Sequence, residues 1–158
     1  MDHEKYMHLA IAAAEQAEKD GAVAIAAVLV KDDKVIATGV STVWIAKDPS
    51  GHGETNCIRE ACKQLNTNDL SECVLYGTLE PCGMCLSCSA WASLPTLYFG
   101  AYLEDVAGNE YEIQDWSAEK ASERMRLANG GRLTVHGGIL RKECAELLKG
   151  YKEWSKAT

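Results

Sequence analysis

The chain has 158 residues, enough for one domain around a single core, so it is expected to fold as one unit over 1–158. Apolar residues make up 47% and charged residues 25%, and no run of 18 apolar residues occurs, so neither a transmembrane helix nor a membrane partner is expected. A net charge of −7 offers no long-range attraction to polyanions, which argues against nucleic acid as a partner.

The start, Met1-Asp2-His3-Glu4-Lys5, lacks a basic leader, and the apolar stretch Leu9 to Ala14 is too short for a signal peptide. The expected compartment is therefore cytoplasmic. Seven cysteines are an odd number in a chain too large to need disulfide staples, and they read as thiols or metal ligands.

An Ala-rich helix is expected over 3–19, with Tyr6, Leu9, Ala13 and Ala17 on its buried stripe and Gly21 ending it. Ala24 to Val30 is a continuous apolar run and reads as a strand buried on both faces. Asp32-Asp33 turns the chain into a second strand, Val35 to Gly39. Asp48-Pro49-Ser50-Gly51 is loop chemistry ahead of a helix at about 53–66. Cys73 to Leu79 is a buried strand, 82–92 a short helix entered through Pro81, and Thr96 to Gly100 another strand. Residues 102–131 form either a lid or a surface excursion, with helix from Ser117 to Leu127 stopped by Asn129-Gly130-Gly131. Arg124-Met125-Arg126 within it reads as a solvated helix face. Arg132 to His136 is the last strand. The last helix runs from Leu140 to Trp154, with Leu140, Cys144, Leu147, Leu148 and Tyr151 inward. Alternating helices and strands imply a three-layer α/β/α sandwich around a mostly parallel five-stranded sheet.

Two short motifs 30 positions apart carry chemistry: His52-Gly53-Glu54 and Pro81-Cys82-Gly83-Met84-Cys85. Cys82 and Cys85 share a face at a helix start, where the positive helix end favours thiolates. His52 and Glu54, two apart, converge only if His52 sits at the cap of its helix. His52, Cys82 and Cys85 then offer three zinc ligands, with a fourth position open, as in catalytic zinc sites. Glu54 is left over as a carboxylate able to take a proton from an acidified water. Read alone, Cys82-x-x-Cys85 could also be a redox pair. Cys88 could close a four-ligand structural zinc site without catalysis, or be a small buried thiol. It also extends the run toward an iron–sulfur spacing, but Ala92 stands where that pattern needs a fourth cysteine. Cys57, Cys62, Cys73 and Cys144 fall on apolar stripes and read as core.

The ordered pair His-x-Glu and Pro-Cys-x-x-Cys is the signature of zinc deaminases. The chain resembles the cytidine deaminase-like superfamily, and most nearly its bacterial guanine and nucleoside deaminase group. The resemblance runs through Asp48-Pro49-Ser50-Gly51-His52-Gly53-Glu54, Ile58-Arg59-Glu60-Ala61, the 75–82 run, Gly100 to Asp105 and Val135 to Cys144. It implies a Zn2+ cofactor held by His52, Cys82 and Cys85, with Glu54 as the catalytic proton carrier. It further implies release of ammonia from an amino-substituted heterocycle by attack of water, and a homodimer. Guanine is the first-choice substrate; cytosine, an aminopterin or an aminotriazine is the alternative.

Several residues depart from that family. Ser41 stands eleven residues before His52, where relatives carry a base-binding Asn. Ala24-Ile25-Ala26 replaces Pro-Phe-Gly and removes an aromatic wall. Gly53 replaces an alanine and is expected to leave more room. Trp91 stands either at a pocket position or in ordinary packing. Glu112, with Glu110 close behind, is the nearest match to the acidic residue of guanine-specific members. Tyr151 and Trp154 could supply a C-terminal aromatic cap or simply pack the last helix.

Overall fold

The computed structural model describes residues 2–106 and 115–149. Along the chain it holds α1 (His3–Lys19), β1 (Val23–Lys31), β2 (Lys34–Ser41), α2 (Val43–Ala46), α3 (Gly53–Leu65), β3 (Val74–Leu79), α4 (Gly83–Trp91), β4 (Thr96–Ala101), a 3-10 turn (Leu103–Asp105), α5 (Ala118–Ser122), β5 (Thr134–His136) and α6 (Arg141–Leu147). The five strands form one sheet in the order β2-β1-β3-β4-β5. β1 runs antiparallel to both its neighbours, while β3, β4 and β5 are parallel. β2 therefore shares their direction, and β1 alone is reversed.

The register explains the two cores. Leu29, Leu75, Leu97 and Val135 lie in one row across the sheet. They face α3 and α4 with Leu86, Ala61 and Ile58. The next row, Val28, Tyr76, Tyr98 and His136, points the other way. Val28, Tyr76 and Tyr98 pack there with Tyr6 and Met7 of α1 and Cys144 of α6. One residue of offset thus exchanges faces, which is the period of a strand. β1 is buried along its whole interior, as its unbroken apolar run implies for a strand between two helical layers. Asp32 and Asp33 both adopt positive φ, the backbone of a two-residue hairpin whose twist matches that of its strands.

Four expectations need correction. In α1 the buried stripe is Tyr6, Met7, Ala10, Ala14 and Ala17, while Leu9 is 43% exposed. With alanine at so many positions, the hydrophobic contrast around this helix is too low to set its rotation from the pattern. α2, a single turn between β2 and the 48–51 loop, is too short to give a periodic signal. The helix expected over 117–127 ends at Ser122. Beyond it an Arg126–Arg132 bridge closes a hairpin through Leu127 and Gly131, so Asn129-Gly130-Gly131 is its tip rather than a helix stop. The last helix ends at Leu147; Tyr151 and Trp154 lie outside the described residues.

Among the described residues no helix is long and apolar enough to cross a membrane.

Candidate metal centre

α3 and α4 both begin at the carboxyl edge of the sheet, and each begins at a motif. His52 is the N-cap of α3 and Cys82 the N-cap of α4, both in extended backbone. Neither side chain makes the usual cap bond to its own helix, and both turn to a common point. The loop before His52 is held by Asp48, whose carboxylate accepts from the Ser50 amide at 2.8 Å and the Ser50 hydroxyl at 2.7 Å. The Asn56 amide donates to the Val40 carbonyl at 2.9 Å and ties α3 to the end of β2. Gly39 permits this approach, because a Cβ there would lie 2.3 Å from the Cys57 amide nitrogen.

His52 Nδ1, Cys82 Sγ and Cys85 Sγ form a triangle with all three sides 3.6 Å. Tetrahedral zinc with Zn–S near ~2.3 Å and Zn–N near ~2.05 Å requires S–S of about 3.8 Å and S–N of about 3.6 Å. The three donors therefore fit zinc without rearrangement, and among the described residues they are the one histidine–cysteine–carboxylate group so gathered. Cys88 lies outside it and packs, partly buried, against the core. All seven thiols are free.

Charge is already arranged for a cation. The Cys85 thiol, then His52, holds the Cys82 thiol down to about 4, against the opposing effect of burial. Cys85 retains the proton, raised by its bond to Cys82 and by complete burial. Metal binding releases such protons. Glu54, in the first turn of α3, is 4% exposed, with Oε2 accepting from Cys85 Sγ at 3.5 Å. Burial first, and the negative charge of Cys82 second, push its carboxyl up to about 7. It is not in the ligand group but stands against it.

The remaining predicted residues are distributed differently. Ser41 ends β2 and is 3% exposed. Thr42, next in the chain, donates its amide to Gly51 beside His52, so Ser41 shares the motif edge. Gly53 does not open space: a Cβ there would sit 3.2 Å from both Ala26 Cα and the Ile25 carbonyl oxygen, so the missing methyl lets α3 approach β1. Trp91 is 80% exposed at the far end of α4 from the cysteines, in neither a core nor the metal site. It lines a shallow surface hollow with Ser87, Met125 and Arg126. Glu112 and Glu110 lie outside the described residues.

Two residues at this edge had no sequence signal. Glu80, 5% exposed, accepts the Leu103 amide at 3.0 Å and the Ala118 amide at 2.8 Å. Trp116 donates its indole N–H to the Pro81 carbonyl at 3.0 Å. Both contacts join segments more than 20 residues apart, beyond the reach of local pattern.

Residues 1–101 match the family described as the cytidine and deoxycytidylate deaminase zinc-binding region. The chain is 37% identical over 108 residues to guanine deaminase of Bacillus subtilis (strain 168), covering 68% of this chain and 69% of that protein. It is 31% identical over 147 residues to a tRNA-specific adenosine deaminase of Buchnera aphidicola subsp. Schizaphis graminum, covering 92% and 91%. The solved guanine deaminase of Nitrosomonas europaea superposes with a TM-score of 0.80 at 25% identity, covering 94% of this chain and 83% of that one. With the matched residues spanning both motifs and the donors gathered at zinc spacing, the chain belongs to the cytidine and deoxycytidylate deaminase family and is a zinc-binding hydrolase of C–N bonds.

Proposed function

We propose that this protein deaminates a free amino-substituted nucleobase, guanine first, at His52, Cys82, Cys85 and Glu54. The observation that carries the reading is Glu54: a buried carboxylate held against a three-donor zinc site but outside its ligand set. His52, Cys82 and Cys85 would hold zinc, and zinc held there would supply a Lewis acid able to acidify water. Glu54 takes the proton released from water at its carboxylate, delivers it to a ring nitrogen and assists departure of ammonia. A carboxylate placed to take and give a proton contributes ~10²–10⁴ in rate.

Ser41 supports a base pocket at the same edge, where it ends β2 at 3% exposure and offers a hydroxyl. A single hydroxyl gives one short contact where an amide could give two, so Ser41 bonds one ring atom or exocyclic group of the substrate. Glu112 is proposed to meet the guanine N1–H and amino group, as an acidic acceptor would.

The second reading is adenosine in tRNA. It is favoured by the match to tRNA-specific adenosine deaminases over nearly the whole chain, and opposed by the net charge of −7. Ammonia release from zinc-loaded protein offered guanine, cytosine, a pterin, a triazine and an adenosine-bearing tRNA anticodon hairpin separates the two. Guanine is the expected substrate. Turnover of the hairpin alone replaces free base with tRNA, and release from none overturns deamination.

The protein is also proposed to act as a homodimer. The 80% exposed Trp91 supports this, being a large apolar side chain that a subunit contact would cover. Light scattering is expected to give twice the 17.2 kDa chain mass, and a monomer refutes the dimer.

A further inference from the structure

We infer that Trp116 is a substrate-binding residue, forming the aromatic wall against which the flat face of the substrate packs; this rests on the deaminase reading above. β1 brings only Ala24, Ile25 and Ala26 to the first turn of α3, and their backbone closes against Gly53. None of these three residues carries a ring. On the other side, the segment after β4 returns to the turn that carries Cys82. There the Trp116 indole N–H is held by Pro81, the residue before that ligand. Its ring edge, Cη2, stands 3.6 Å from where a Cβ of Gly83 would be, the residue after it. Trp116 therefore brackets Cys82 from outside, and Gly83 has no side chain to come between the indole and the turn.

Glu80 holds the chain on the Trp116 side and at Leu103, accepting the Leu103 amide at 3.0 Å and the Ala118 amide at 2.8 Å from a position 5% exposed. Burying a carboxylate is costly unless both oxygens are bonded, and here both are. Asp115 adopts positive φ immediately before Trp116, which turns the chain inward at this residue. The indole is partly buried, packed against the core cluster that includes Ala118 and Leu86. A rigid indole with its polar N–H already satisfied presents an apolar π-face, the feature that stacks on a nucleobase regardless of its edge.

Trp116→Ala and Trp116→Phe test this in zinc-loaded protein, using whichever member of the ammonia-release panel is turned over. Trp116→Ala is expected to raise KM roughly 10- to 100-fold with kcat within about threefold, the scale of one lost stacking contact. Trp116→Phe, which keeps a ring, is expected to recover most of that loss, and both should hold one zinc per chain. Tryptophan fluorescence titrated with guanine is expected to be quenched in the wild type and much less in Trp116→Phe. If the wild type turns over substrate while KM in both variants stays within twofold, the wall is overturned and the deaminase reading stands. If the wild type turns over nothing, that reading fails; a guanine quench lost in Trp116→Phe then still supports the wall, and an unchanged or absent quench overturns it.

Discussion

Glu54→Gln should separate catalysis from stability in opposite directions. Amide and carboxylate have nearly the same shape, so the metal triangle, which does not include Glu54, should remain. Zinc-loaded Glu54→Gln is expected to keep one zinc per chain and lose ~10²–10⁴ in kcat, since an amide cannot carry the proton. In chelator-treated protein, the Glu54 carboxyl titrates near 7 when folded against an ordinary value of 4.5. A raised carboxyl binds its proton more tightly folded than unfolded. Its contribution is complete below about 4.5 and is lost as pH rises through about 7. The difference of 2.5 units corresponds to roughly 3 kcal/mol at pH 8, which glutamine escapes. Urea unfolding of the metal-free proteins under reducing conditions should therefore show Glu54→Gln more stable at pH 8, with the gap closing toward pH 5. An equal or smaller stability at both pH values would refute the claim that Glu54 is buried charge. Retained turnover in the zinc-loaded variant would refute its role as proton carrier.

Three further substitutions probe the frame around the site. Cys85→Ser should drop zinc well below one per chain by atomic absorption, while Cys88→Ser should leave it at one; zinc loss in Cys88→Ser would favour a four-ligand structural site. Glu80→Ala strands the Leu103 and Ala118 amides in a site 5% exposed. That should cost about 2–4 kcal/mol and lower Tm by about 5–15 °C, and a Tm within about 2 °C of wild type would contradict the clamp.

What the sequence made legible was chemistry with short-range geometry. His52 had to be a cap for Glu54 to converge with it, and it is the N-cap of α3. Cys82 and Cys85 share a helix start because a three-residue offset places them together. β1 followed from its unbroken apolar run. What stayed hidden depended on long-range contact or on weak contrast. Leu9 could not be placed on the outside of an alanine helix by pattern alone. Gly53 looked like extra pocket space until the backbone of β1 filled it. Trp91 fitted a pocket or the core; it is 80% exposed and lines a surface hollow. Trp116 and Glu80 acquire meaning only when the segment after β4 folds back on the Pro81-Cys82 turn.

The most direct test of the central claim is oxygen transfer from solvent. Zinc-loaded protein incubated with guanine in 18O-labelled water should release one ammonia per product molecule, and the product should carry one labelled oxygen at the carbon that lost the amine. Absence of both from guanine and every other substrate in the panel, in protein holding one zinc per chain, would contradict it.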